Sequence, residues 1–238
     1  MNPKQNTYSS MLEVIDDEIE EIIFKFRPKE NRSIRLKRIA EDFQTRRHVS
    51  DYQIDHLFPR EMARKSHPHW TPVEVATRAL ELLNASDDSN VLDAGSGCGK
   101  FCIIAGLFSK GFFTGVEQRK NLVEVARQIA NEFQIKNVSF IHGSMFDLDW
   151  SNFDCFYFFN PFYENKMDSS FWIDDSIPVK RHLYDSYVHS VEEKLKTTKI
   201  GTRVVTYHGY GGYFSSDFTC LINEPASTGS LELWVKIK

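Results

Sequence analysis

From residue 70 onward, short apolar runs alternate with stretches whose apolar residues recur every three or four positions; before that point only the helical period is present. The runs over 90–94, 112–117, 138–142, 154–159 and 202–207 read as strands, and 100–108, 121–133 and 184–195 as helices. A further helix opens at Trp70-Thr71-Pro72-Val73-Glu74. Thr71 is placed as N-cap, Pro72 at the first helical position and Glu74 as the return arm of a capping box, with Val75, Ala76, Ala79, Leu80 and Leu83 as its buried face. Strand and helix alternating at this pitch predict a doubly wound α/β domain of Rossmann-like build, with right-handed crossovers. The end differs. Runs over 218–222 and 231–237 have no room for a helix between them, so 223–229 is expected to join an antiparallel hairpin and complete a seven-stranded, mostly parallel sheet.

Residues 1–66 read as a helical extension that contacts substrate or partner, and 67–238 as the main domain. Leu12, Ile15, Ile19, Ile22, Ile23 and Phe26 mark an acidic amphipathic helix. A second helix after Pro28 has Ile34, Ile39 and Phe43 as its stripe, Leu36 at the edge, and carries Arg32, Arg35, Lys37, Arg38, Arg46 and Arg47. The acidic-then-basic order lets the two helices pair; the basic one alternatively suits nucleic acid or an acidic protein surface.

At 238 residues and 41% hydrophobic, the chain buries a core without disulfide or metal staples. Its net charge of -4 supplies no bulk attraction to polyanions. Cys98, Cys102, Cys155 and Cys220 form no C-x-x-C pair, which fits reduced thiols in the cytoplasm. No apolar run is long enough for a membrane span. His67 and His69 lack a third ligand at metal spacing, so no metal is expected.

The chemistry concentrates at three strand ends. Asp93-Ala94-Gly95-Ser96-Gly97-Cys98-Gly99-Lys100 stands where the first strand meets a helix, and glycines at alternate positions let a ligand approach the backbone. A dinucleotide fingerprint requires glycine at position 100, where Lys100 stands, and no Walker loop is present. The segment instead resembles the first motif, D-x-G-x-G-x-G, of the class I S-adenosylmethionine-dependent methyltransferases. In that family the loop wraps the methionine part of the cofactor, whose cationic groups suit an acidic strand end. The order of motifs also resembles some protein lysine methyltransferases.

The resemblance carries further expectations. Glu117, about 20 residues past the glycine loop, is placed to accept the ribose hydroxyls, with Gln118 beside it. Trp70-Thr71-Pro72 matches the T-P element that brings an N-terminal helix onto the cofactor. Gly143-Ser144-Met145-Phe146-Asp147 falls where the family has Gly-Asp; Ser144 replaces that Asp, leaving the adenine to Ser144, to Asp147, or to apolar contact around Met145 and Phe146. Asn160-Pro161-Phe162-Tyr163 resembles the [D/N]-P-P-[Y/F] signature of N-methyltransferases and departs at Phe162, which counts against a planar nitrogen and leaves room for a lysine amine. Asn160, the Pro161 carbonyl and Tyr163 are then the catalytic group, and Phe162, Tyr163, Glu164, Phe171 and Trp172 the substrate pocket. For a lysine acceptor, Tyr163, Glu164 or His208 could pass on the proton. The expected activity is methyl transfer from S-adenosylmethionine, yielding S-adenosylhomocysteine, to nitrogen on a protein or nucleic acid. A small-molecule N-methyltransferase and a noncatalytic methyltransferase-like binding subunit are the competing readings; the residues do not specify an oligomeric state.

Overall fold

The computed structural model describes residues 31–238, so the acidic helix expected over 12–26 lies outside the described residues. Four helical segments come first: α1 (Arg32–Gln44), α2 (Asp51–Asp55), α3 (Arg60–Ala63) and α4 (Ser66–His69). There follow α5 (Val73–Leu83), β1 (Asn90–Ala94), α6 (Lys100–Phe108), β2 (Phe112–Glu117), α7 (Lys120–Phe133), β3 (Val138–His142), β4 (Cys155–Phe159), α8 (Tyr184–Lys196), β5 (Arg203–Tyr207), β6 (Phe218–Ala226) and β7 (Gly229–Lys236). The strands form one seven-stranded sheet in the order β3-β2-β1-β4-β5-β7-β6. The first five are parallel, and β7 runs antiparallel to both β5 and β6. Strand order reverses between β1 and β4, which opens a crevice at their carboxyl ends.

Alternation along each strand divides the core into two layers. Val91, Cys155, Tyr157, Val205 and Tyr207 join α5, α6 and α7 on one face. Leu92, Ala94, Phe156, Phe158 and Val204 join α8 on the other. α1 belongs to the first layer, where Leu36, Ile39 and Phe43 pack at spacings of three and four; Ile34, expected in the stripe, is 58% exposed.

The start of α5 departs from expectation. The helix begins at Val73 with Pro72 in the cap position and no side-chain cap of its own. The Val73 N–H donates instead to Asp51 Oδ1 at 3.0 Å, and the Thr71 hydroxyl is engaged by the Tyr157 hydroxyl at 3.0 Å. Asp51 also pairs with Lys100, the first residue of α6, which is buried and pairs with Asp55 at 2.8 Å. Burial alone would lower the Lys100 pKa, but the two carboxylates raise it on balance. One ion cluster thus fastens α2 to the starts of α5 and α6. The hairpin differs too. β6 runs through to Ala226 and β7 starts at Gly229, so most of the expected connection is strand. An edge strand tolerates Pro225, which faces Ser230, and Ser227 turns the chain at φ 46°.

Candidate active site

Gly95, Gly97 and Gly99 all adopt positive φ, at 84°, 54° and 82°. The Gly95 and Ser96 N–H groups both donate to the Val116 carbonyl at 3.0 Å, folding the turn onto β2. Gly97 is required by close approach as well: any Cβ there would run into the Trp70 ring, which is itself held by Trp70 Nε1 donating to the Met62 carbonyl at 2.9 Å. Across the crevice the turn meets β4, since a Cβ on Gly95 would lie 3.2 Å from that of Pro161.

Glu117 closes β2, buried. Its Oε2 accepts the Gly97 N–H at 3.1 Å and its Oε1 the Arg119 N–H at 2.8 Å, so each oxygen keeps acceptor capacity for a ligand hydroxyl. Burial raises its pKa, against the opposing pull of Arg119 and those N–H groups. Asp93 sits behind the turn, where burial pushes it up to about 7 and its Oδ2 accepts the Cys102 S–H at 3.4 Å.

At the end of β4, Asn160 adopts φ 37°; its N–H donates to the Gly209 carbonyl and its carbonyl accepts the Tyr163 N–H, both at 3.0 Å, making a tight turn around Pro161 and Phe162. The Phe162 ring, only 4% exposed, packs with Phe146, Tyr184 and Tyr187. Glu164 is fully engaged: it pairs with Arg119 at 3.0 Å and accepts the Ile173 N–H at 2.5 Å. Arg119, buried, also pairs with Asp174 at 2.8 Å. Hydrogen bonds from Ser176, Arg119 and Asn121 outweigh the effect of burial and hold Asp174 at about 2. Arg119 thereby clamps the segment after β4 over the crevice.

The result is a cleft of about 440 Å³. Trp70, Gly95, Gly97, Glu117, Gln118 and Met145 line one part, and Asn160, Pro161, Phe162, Tyr163, Glu164 and Phe171 the other. Thr71, Asp93, Ser96, Gly99, Ser144, Phe146, Asp147 and Trp172 are outside this lining. Thr71 and Asp93 are engaged as described, and the buried Ser96 Oγ has no partner and packs over Gly115. Ser144 Oγ accepts the Phe146 N–H at 3.2 Å, Asp147 is exposed, and Trp172 Nε1 donates to the Glu164 carbonyl at 3.2 Å. Sequence reading missed Arg119 and the apolar wall of Ile173, Ile177, Pro178 and Val179. A charged residue two places past a strand end has no pattern that announces a partner 45 residues later.

A glycine-bordered cleft of this size fits a nucleoside. A Cβ on Gly143 would meet nothing within 4 Å, Met145 offers an apolar surface against the glycine turn, and the Glu117 carboxylate is bonded to the Gly97 N–H of that turn. Sheet order, glycine turn and acidic strand end define a class I methyltransferase. A family model described as a methyltransferase domain matches residues 85–206, just over half of the chain. The chain belongs to that family, as an enzyme of the S-adenosylmethionine-dependent class. No curated protein matches the sequence. Among solved structures, an RNA methyltransferase from Salinibacter ruber in complex with S-adenosyl-L-homocysteine is 22% identical, with a TM-score of 0.50 over 71% of this chain and 94% of that one. TrmN from Thermus thermophilus is 15% identical, with a TM-score of 0.56 over 75% of this chain and 52% of that one. At these identities the likeness is one of fold. Among the described residues no helix is long and apolar enough to cross a membrane.

Proposed function

We propose that the chain methylates a nitrogen on a macromolecule, with a planar amine or amide as the acceptor class. The observation that carries this reading is Asn160, held in a left-handed conformation on the cleft, next to Pro161, whose Cβ would lie 3.2 Å from one on Gly95 of the glycine loop. S-adenosylmethionine supplies the electrophilic methyl group when bound. Gly95, Gly97, Glu117 and Met145 would hold it, with Trp70 and Gln118 beside it, and the residues behind the loop shape the turn. The Asn160 side chain and the Pro161 carbonyl accept the N–H bonds of the target, which fixes the direction of its lone pair. Tyr163 and Phe171 give flat surfaces for a planar group. Phe162 packs its ring against Phe146, Tyr184 and Tyr187 beside these surfaces. The Salinibacter ruber neighbour's action on RNA supports nucleic acid as one macromolecular class.

The test is transfer of tritiated methyl from the cofactor to a cell lysate fractionated with ribonuclease, deoxyribonuclease and protease. Label is expected in one macromolecular fraction, on nitrogen after hydrolysis. Asn160→Ala is expected to lower transfer by about 100-fold while leaving cofactor binding intact. Label found only on carbon or oxygen, or only on small molecules, overturns the reading.

A further inference from the structure

β4 and β5 end side by side, with Phe159 paired to Tyr207, and the next residue of each strand breaks the strand conformation in the same way. Asn160 has φ 37° and His208 φ 57°. Their backbones are tied in place, since the Asn160 N–H donates to the Gly209 carbonyl at 3.0 Å and the His208 N–H to the Ser230 carbonyl at 3.1 Å. Left-handed conformations cost a non-glycine residue roughly 1 kcal/mol or more and persist where the surroundings impose them. Both residues line the cleft.

The imidazole is held as firmly as the backbone. It stacks on Phe159 with centroids 5.8 Å apart and planes 26° apart, and Nε2 lies 3.3 Å from Thr228 Oγ1. Thr228 Oγ1 in turn lies 3.1 Å from the Tyr207 hydroxyl. Gly229 carries no side chain where one would strike the ring. When Nε2–H donates to Thr228 Oγ1, the lone pair is on Nδ1, which is the tautomer a proton acceptor requires.

We infer that His208 is a catalytic residue of this site, the group that takes the proton given up by the acceptor nitrogen. The inference rests on the N-methylation reading above. The acceptor lone pair forms the new N–C bond while the C–S bond breaks and its electron pair stays on sulfur; the nitrogen then carries one proton too many, and that proton moves to the imidazole. Three other groups on the cleft are unsuited, Asn160, Glu164 and His69. Asn160 accepts hydrogen bonds but takes no proton, and Glu164 is occupied by Arg119 and Ile173. His69 is held at about 4 by burial, Lys65 and Arg119, and it bonds the Phe171 backbone. His208 is exposed to the cleft, and partial burial lowers its pKa from 6.5, which keeps it neutral at physiological pH. The groups facing it are Phe159 from β4, Tyr207 from β5, and Thr228 and Gly229 from the β6–β7 turn, with no carboxylate or basic side chain among them.

The decisive comparison uses His208→Phe, which keeps a flat ring without a basic nitrogen, and His208→Ala, which leaves space for added imidazole. On the labelled lysate fraction, His208→Phe is expected to lose about 100-fold in kcat with KM nearly unchanged, and imidazole to restore much of the loss in His208→Ala. The acid limb of kcat at saturating cofactor is expected to follow the titration of the His208 ring protons by NMR, assigned by their absence from His208→Phe. Wild-type kcat in His208→Phe, or no imidazole rescue in a His208→Ala protein that binds cofactor normally, overturns the inference. Those outcomes leave N-methylation standing, whereas a wild-type protein that labels no nitrogen removes both.

Discussion

The two walls of the cleft are held by different means. The wall from β1 and β2 is built within a short stretch of chain: three glycines at positive φ, two N–H groups on the Val116 carbonyl, and one carboxylate bridging the backbone at 97 and 119. The wall after β4 starts with a local turn at Asn160 but is then pinned from far away. Arg119 reaches Glu164 and Asp174, and Lys65 Nζ donates to the Trp172 carbonyl at 2.8 Å, 107 residues on. A wall made of backbone geometry is sensitive only where a side chain cannot be tolerated. A wall made of ion pairs is opened by removing one charge.

The largest effect is expected where the first wall breaks that pattern and depends on a distant charge. Lys100 lies directly after the glycine turn and neutralises Asp51 and Asp55 from the N-terminal segment. Lys100→Met leaves the largely buried Asp55 without its cation and Asp51 with only the Val73 N–H, at a cost of about 3–5 kcal/mol. A fall in Tm of about 10 °C or more is the expected reading in a thermal melt. An unchanged Tm would mean that the N-terminal segment and the glycine turn are energetically independent.

Gly97→Val tests the backbone-built wall on its own terms. The left-handed conformation is strained for valine, and Trp70 must leave its seat, so cofactor affinity by calorimetry is expected to fall about 100-fold. The opposite pattern is expected of Arg119→Gln. Glu117 is bonded to the Arg119 backbone N–H, which glutamine retains, whereas Glu164 and Asp174 lose their guanidinium. The KM for the acceptor is expected to rise about 10-fold, and the cofactor Kd to move less than threefold. A large change in cofactor Kd in this variant would erase the distinction between the walls.

The same distinction explains what could be read from the chain. Strand ends, the glycine turn, Glu117 and the Asn160 turn were legible because each is set by residues close in sequence, through spacing, alternation and turn chemistry. Thr71 was misread for the opposite reason: a good N-cap residue was outcompeted by Asp51, which supplies the cap from an earlier helix while the Thr71 hydroxyl turns to Tyr157. Phe162 and Trp172 were grouped with Tyr163 and Phe171 by composition. Tertiary contacts sort them: Phe162 stays on the cleft with its ring against Tyr184 and Tyr187, and the Trp172 indole leaves the lining for the Glu164 carbonyl. Arg119 had no local signature at all.

Asp93 gives the smallest expected effect and the sharpest check on which side of the turn it serves. The motif resemblance assigns it to the cofactor, but its carboxyl is buried behind the loop, receives the Cys102 S–H and is pushed up to about 7 from 3.8 by burial, with Glu117 adding to the rise. Between those two values the unfolded chain has released the Asp93 proton while the folded chain retains it. The contribution is therefore fully present below about 3.8 and is lost as pH rises through about 7. Asp93→Asn removes a titration that Glu117 and Asp55, also raised by burial, still contribute in both proteins. Wild type is then expected to lose about 1 kcal/mol more than Asp93→Asn between pH 6 and pH 8 in denaturant unfolding. Cofactor affinity in the two proteins is expected to keep the same pH dependence, because nothing in the cleft lining is altered. Equal stability slopes with diverging cofactor affinities would put the Asp93 carboxylate on the ligand side of the turn, and the backbone-built wall would then include a charge that the geometry assigns to the core.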